Sequence, residues 1–306
     1  MNIASIDVGS NTVLLLIAKI ENNKLIPIIN LYNSPRLGKD LLPSMQIKED
    51  RIENLIKILT IYKSKILEFN CEKVLIKATN AMRIASNSKE ICNKIKVKLN
   101  LDIEIIDGNT EAEFSYLGAS SSVPNIDEKM VIDVGGGSTE IIFGNSNQIF
   151  FKHSFQTGVV SLTERFFKNR PLTKSDIQKA EIFLGNLFES LDKNIPNNLV
   201  TIAVAGTPTT LSCIKQNLKD YVEEKVEGSL LTFEEIVELK EKIKKVQPNE
   251  MITNFGSVVK GREDVLFAGI LILETIMKIK RLDEIFVSGR GLRYGIVINY
   301  MNKFKV

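Results

Sequence analysis

The sequence predicts an α/β protein built from two halves that follow the same plan. Each half opens with three consecutive strand-like apolar runs and then alternates helical and strand patterns. Each half also places Asp-Val-Gly at the end of its first run, as Asp7-Val8-Gly9 and Asp133-Val134-Gly135. With 306 residues, 44% of them hydrophobic and 25% charged, the chain can bury one large or two medium cores without disulfides.

The elements follow in order. Residues 3–8 form a short buried-strand run, 12–20 a second, and 24–29 a third after the turn-forming Glu21-Asn22-Asn23. Ile52, Leu55, Ile56, Leu59, Tyr62 and Ile66 recur at helical spacing across 48–69, with Glu49 and Asp50 where the helix dipole favours acids. A strand at 73–79, a broken helix over 80–99, a strand at 102–106 and a helix at 110–120 complete the half as βββαβαβα. The second half repeats the opening at 129–134, 139–143 and 148–155. Helices follow at 160–167 and 173–191, then a strand at 199–205 and a helix after Gly206. Thr232 to Glu235 reads as a capping box, 263–279 as a strongly apolar helix, 284–287 as a strand, and the remainder as a final helix.

Composition excludes several functions. Forty Lys and Arg against 37 Asp and Glu leave +3, too weak a mean field to argue for nucleic acid or an anionic membrane. The longest apolar stretches, 13–18 and 265–273, fall well short of a membrane span, and the first residues lack the marks of a signal peptide. Cys71, Cys92 and Cys213 are odd in number and widely spaced, which argues against a zinc site or disulfide framework and for a reducing cytoplasm. The single histidine, His153, leaves no room for multi-histidine metal sites and reads as an ordinary strand residue.

The loops after the two aspartates are the chemical centre of the sequence. Turns such as Gly9-Ser10-Asn11 and Gly135-Gly136-Gly137-Ser138 offer backbone N–H groups and small hydroxyls to an anion, and a neighbouring carboxylate can hold a metal. One glycine-rich hairpin would be ordinary turn chemistry; two, with the aspartate at matched positions, point to a metal-assisted phosphoryl site between domains. Gly206-Thr207, where a strand enters a helix, serves equally as a phosphate site or as a plain Thr-capped helix start. No GxxxxGK[ST] occurs, so P-loop chemistry is excluded. With no histidine in these loops a carboxylate is the natural base, and Glu111 is the best placed. On spacing alone the better reading is the plain one, with Glu111 and Glu113 as dipole-complementing acids on a helix capped by Asn109 or Thr110.

Seven ordered segments extend the argument: 5–11 (Ser-Ile-Asp-Val-Gly-Ser-Asn), 36–38 (Arg-Leu-Gly), 78–83 (Ala-Thr-Asn-Ala-Met-Arg), 107–112 (Asp-Gly-Asn-Thr-Glu-Ala), 132–140 (Ile-Asp-Val-Gly-Gly-Gly-Ser-Thr-Glu), 205–207 (Ala-Gly-Thr) and 291–295 (Gly-Leu-Arg-Tyr-Gly). Together, over essentially the whole chain, they resemble the exopolyphosphatase and guanosine pentaphosphate phosphohydrolase (Ppx/GppA) family in its short two-domain form. The resemblance implies two related actin, Hsp70 and sugar-kinase-like (ribonuclease H-like) domains, here 1–121 with 292–306 and 122–291, and an active-site cleft between them. It implies Mg²⁺-dependent release of terminal phosphate from polyphosphate or guanosine pentaphosphate, with guanosine tetraphosphate as a further ligand and a homodimer left open. By position, Glu111 matches the catalytic base, and Asp7, Asp133 and Glu140 the metal-holding acids. Gly9, Ser10, Asn11, Arg83, Gly135, Gly136, Gly137, Ser138, Gly206 and Thr207 match phosphate-binding positions, and Arg36 and Arg262 basic positions at the nucleotide or rim. Two departures stand out: Thr110 precedes Glu111 where many members have a second acid, and Gly289 follows Ser288 where an aspartate is usual. The same loops would also suit an ATP-dependent phosphotransferase or a non-hydrolytic alarmone or polyphosphate sensor.

Overall fold

The structure is a computed structural model that describes residues 1–123, 126–169 and 171–304. The chain divides into two compact units, Met1–Gly118 with Leu292–Val306, and Ala119–Gly291.

In the first unit, β1 (Asn2–Val8), β2 (Val13–Glu21), β3 (Lys24–Asn33), β4 (Lys73–Ala78) and β5 (Glu104–Ile105) form a sheet of order β3-β2-β1-β4-β5. The first three strands are antiparallel, and β4 and β5 then run parallel to β1. The third strand continues to Asn33 rather than stopping at 29, because β2 is long enough to pair through Val13–Asn33 across a bulge at Ile17/Ala18. Pro27 is accommodated because β3 is an edge strand. The helix Glu49–Glu68 covers one sheet face with Ile52, Leu55, Ile58, Leu59, Tyr62 and Ile66, and the Tyr62 hydroxyl donates to Val13 O at 2.9 Å. On the other face, Tyr294 and Val297 of the helix Leu292–Phe304 pack on Ile3, Leu16, Ala18 and Ile20. A second contact joins Leu292 and Ile296 to Ile106 and to Phe114 of the helix Gly108–Ser120.

The second unit repeats the order with one strand added. β6 (Lys129–Val134), β7 (Thr139–Gly144), β8 (Ile149–Phe155), β9 (Thr201–Val204), β10 (Leu230–Thr232) and β11 (Glu284–Val287) lie as β10-β11-β9-β6-β7-β8. β6, β7 and β8 are antiparallel, β9 and β11 parallel to β6, and β10 antiparallel at the edge. β10 was not foreseen: three residues are too few to show a period. The expected strand at 199–205 covers only Thr201–Val204, its end set where Ala205 turns to φ 76°. The capping box at Thr232 forms, with Glu235 N–H donating to Thr232 Oγ1 and Thr232 N–H donating to Glu235 Oε2. The helix Leu266–Lys280 is apolar on nearly every side because its neighbours bury nearly every side. This two-sheet α/β architecture is the fold class expected from the sequence.

Among the described residues no helix is long and apolar enough to cross a membrane.

Candidate active site

In the first unit, the sequence motifs meet at the ends of β1, β4 and β5. Asp7 lies one residue before the end of β1, between Leu14 of β2 and Lys77 of β4. The turn that follows is closed by Gly9 N–H donating to Thr12 O at 2.9 Å. Gly38 N–H donates to Ser10 O at 2.7 Å, and a Cβ on Gly38 would stand 2.9 Å from Ser10 Cβ, so glycine permits this close approach. Arg36 joins the same cluster, its N–H donating to Asn11 O at 3.1 Å. Ser10 Oγ accepts the N–H of Ala81, at the start of the short helix Asn80–Ile84.

That helix carries Arg83 to Glu111. Arg83 Nη1 lies 3.0 Å from Glu111 Oε2 and donates to Ile106 O at 2.9 Å. The parallel pairing of β4 with β5 brings the two segments side by side, with Ile106 N–H donating to Ala78 O. Glu111 is buried, at 8% exposure, so it does not merely complement the helix dipole from solvent. Nor do Asn109 or Thr110 cap the helix. Asp107 does, its carboxylate accepting Asn109 N–H at 2.8 Å, Thr110 N–H at 2.9 Å and the Thr110 hydroxyl at 3.1 Å. Asp107 precedes the first helical residue, Gly108, where a side-chain acceptor reaches the free N–H groups. These bonds, the Thr110 N–H first, hold its carboxyl below the usual aspartate range.

In the second unit, Asp133 sits directly opposite Glu140 across β6 and β7. Directly opposed residues of an antiparallel pair project from one face, so two carboxylates share it. Glu140 is 1% exposed and accepts the Ser154 hydroxyl at 2.6 Å. The fold holds the glycine-rich turn by its carbonyls: Gly135 O accepts Val159 N–H at 2.9 Å and Gly136 O accepts Val160 N–H at 2.7 Å. A Cβ at Gly158, the residue before the helix Val159–Phe166, would stand 2.4 Å from Gly135 O.

The parallel pairing of β6 with β9 places Ala205-Gly206-Thr207 beside this turn. The helix Gly206–Lys215 begins there, and Arg262 packs its guanidinium on the backbone of Gly206, where a Cβ would meet Nε at 2.2 Å. Thus Asp133, Gly135 to Ser138, Glu140, Gly206, Thr207 and Arg262 gather in one region of the second unit, and Asp7, Gly9 to Asn11, Arg36, Arg83 and Glu111 in one region of the first. The departing position, Gly289, has its N–H bound by Glu227 Oε2 at 2.8 Å.

The donor set fits Mg²⁺. Among the described residues no three of His, Cys, Asp and Glu converge as an all-protein cage. A magnesium ion is commonly held by one or two carboxylates and the substrate's phosphate oxygens, a share that would fall here to the Asp133–Glu140 pair. His153 is exposed and packs against the Phe155 ring, with centroids 4.5 Å apart. Burial pushes the Cys213 thiol up to about 11, leaving it unsuited as a nucleophile. Sequence reasoning missed Ser154, Asp107 and Glu227; only the strand register or the loop geometry reveals their partners.

The sequence model of the Ppx/GppA phosphatase family matches residues 16–304. The chain belongs to that family. Over 98% or more of both chains it is similar to two solved structures. One is the crystal structure of the Aquifex aeolicus member of the Ppx/GppA family, at 34% identity and TM-score 0.84, covering 100% of this chain and 99% of that one. The other is an exopolyphosphatase from Cytophaga hutchinsonii, at 27% identity and TM-score 0.91, covering 99% and 98%. It is also similar to a bifunctional 3-dehydroquinate synthase/phosphatase of Fusobacterium nucleatum subsp. nucleatum, at 31% identity over 312 residues. That match covers 96% of this chain and 46% of the relative, so this family member spans less than half of that relative's length.

Proposed function

We propose that the chain hydrolyses terminal phosphoanhydride bonds of polyphosphate and of guanosine pentaphosphate, with Mg²⁺, in a reducing cytoplasm. The observation that carries this reading is the Arg83–Glu111 pair. A buried carboxylate at a helix start is ion-paired to a guanidinium whose Nη2 has no hydrogen-bond partner among the described residues. Glu111 takes a proton from the attacking water as the oxygen closes on the terminal phosphorus. The spare Nη2–H groups of Arg83 are donors for a phosphate oxygen, the strong charge-assisted kind.

Asp133 and Glu140 would hold the cation, with Asp7 the matching acid of the first sheet. When bound, Mg²⁺ neutralises charge on the transferring phosphate. The N–H groups of Gly135 to Gly137, the Ser138 hydroxyl and the helix start at Gly206-Thr207 bind phosphate oxygens in the second unit, as Gly9, Ser10 and Asn11 do in the first. Family membership and the likeness to the Cytophaga exopolyphosphatase support the substrate class.

The test is phosphate release from long and short polyphosphate, guanosine pentaphosphate and ATP. Glu111→Gln should fall by about 10²–10⁴-fold with the fold intact, and chelation of Mg²⁺ should abolish release. Near-wild-type release by Glu111→Gln would overturn the base assignment. Phosphate appearing on an acceptor would make the protein a phosphotransferase, and tight guanosine tetraphosphate binding without turnover would make it a sensor.

A further inference from the structure

The hydrogen bonds around Glu227 have one consistent direction. Glu227 follows the short helix Glu223–Val226, and Gly228 N–H donates to Val287 O at 2.9 Å, which sets this turn beside the end of β11. Glu227 Oε1 accepts the Ser288 hydroxyl at 2.7 Å and Oε2 accepts Gly289 N–H at 2.8 Å. Ser288 has one hydroxyl proton and gives it to Glu227. The 2.7 Å contact between Ser122 Oγ and Ser288 Oγ is therefore donated by Ser122. Ser288 Oγ also accepts Arg290 N–H at 2.9 Å and is fully buried.

The sequence positions of these groups give the network its meaning. The chain passes from one compact unit to the other after Gly118 and returns after Gly291. Ser122 lies two residues beyond the helix Gly108–Ser120, which carries Glu111, and Ser288 lies four before the helix Leu292–Phe304. Those two helices pack so closely that a Cβ on Gly295 would stand 1.7 Å from Phe114 O.

We propose that Glu227 is a positioning residue for the reaction. Its carboxylate fixes the Ser288 hydroxyl, which in turn accepts from Ser122, so that the residues just after the Glu111 helix are held to those just before the helix packed on it and the Glu111 helix is steadied at its end. The link to turnover rests on the function proposed above, whereas the structural link does not.

A relocated carboxylate gives the test. Gly289 has no positive φ, and a Cβ there would lie 3.6 Å from Glu227 Oε2 and 2.5 Å from the Tyr221 hydroxyl, the far end of a side chain that is 46% exposed and must shift to admit it. An aspartate at 289 can therefore fill the space that Glu227→Ala vacates. In Glu227→Ala, amide hydrogen exchange at 289–290 and 119–123 should quicken by about tenfold or more, the scale of a lost hydrogen bond to a charge. For phosphate release, kcat should drop while KM moves by less than about twofold.

Gly289→Asp alone crowds two carboxylates and should show the same signs, and the double variant should recover both readouts to within about threefold of wild type. Glu227→Gln keeps an acceptor for Ser288 but turns an NH₂ toward Gly289 N–H, so it should fall between wild type and alanine and serves if the alanine variant fails to fold. Unchanged exchange in Glu227→Ala, a double variant no better than the worse single one, or Glu227→Gln equal to wild type would each overturn the proposal. If the wild type releases no phosphate, the function above fails and the exchange readout still decides on Glu227.

Discussion

Ala205 is held at φ 76° and ψ −167°, a region that glycine occupies freely and a Cβ resists. The strain sits where β9 enters the helix with the candidate phosphate-binding start, and costs about 1–3 kcal/mol. Ala205→Gly should therefore raise the unfolding free energy by roughly 1 kcal/mol in denaturant titration, since glycine's greater unfolded-state freedom offsets part of the relief. Asp107 supports a second expectation. Replacing it with alanine leaves two N–H groups without their carboxylate and should cost about 1 kcal/mol, a typical cap loss. Its folded carboxyl lies below the ordinary value, so its contribution is full above that value and fades as pH falls through the folded one. The stability gap between wild type and Asp107→Ala should thus narrow below about pH 4.

At the scale of elements, the helix Leu292–Phe304 reaches Phe114 of the Glu111 helix only because residue 295 has no side chain. Gly295→Ala should force the two helices apart, cost about 1–3 kcal/mol as overpacking does, and lower kcat by tilting the helix that carries Glu111. Thermal melts and phosphate-release kinetics together check this; a variant with unchanged melting and rate would refute it. The same contact shows what was legible in the sequence. Asp7, Asp133 and the glycine turns could be read directly, because an apolar run breaking at glycine is a local signal. The Arg83–Glu111 pair could not be derived from spacing: 28 residues separate its partners, and the pairing of β4 with β5 joins them. Glu140 with Ser154 likewise needed the β7–β8 register, and Glu227 with Ser288 spans 61 residues. The family resemblance assigned Glu111 a role, but it named neither Asp107 as the cap nor Ser154 as Glu140's donor.

For the whole molecule, the discontinuity of the first unit is the governing fact. Its sheet owes one covered face to Tyr294 and Val297, which belong to a segment separated from it by the entire second unit. A fragment of residues 119–291 retains its large core and should melt cooperatively by circular dichroism. Residues 1–118 alone should be unstable and gain structure when a peptide of 292–304 is added; a cooperative melt without the peptide would contradict this. During synthesis the order of events is inverted relative to the order of the sequence. The strands of the first unit wait with Ile3, Leu16 and Ile20 uncovered on one side until residues 292–304 have left the ribosome, so the nascent chain presents a sticky strand surface to chaperones for as long as the second unit is being made.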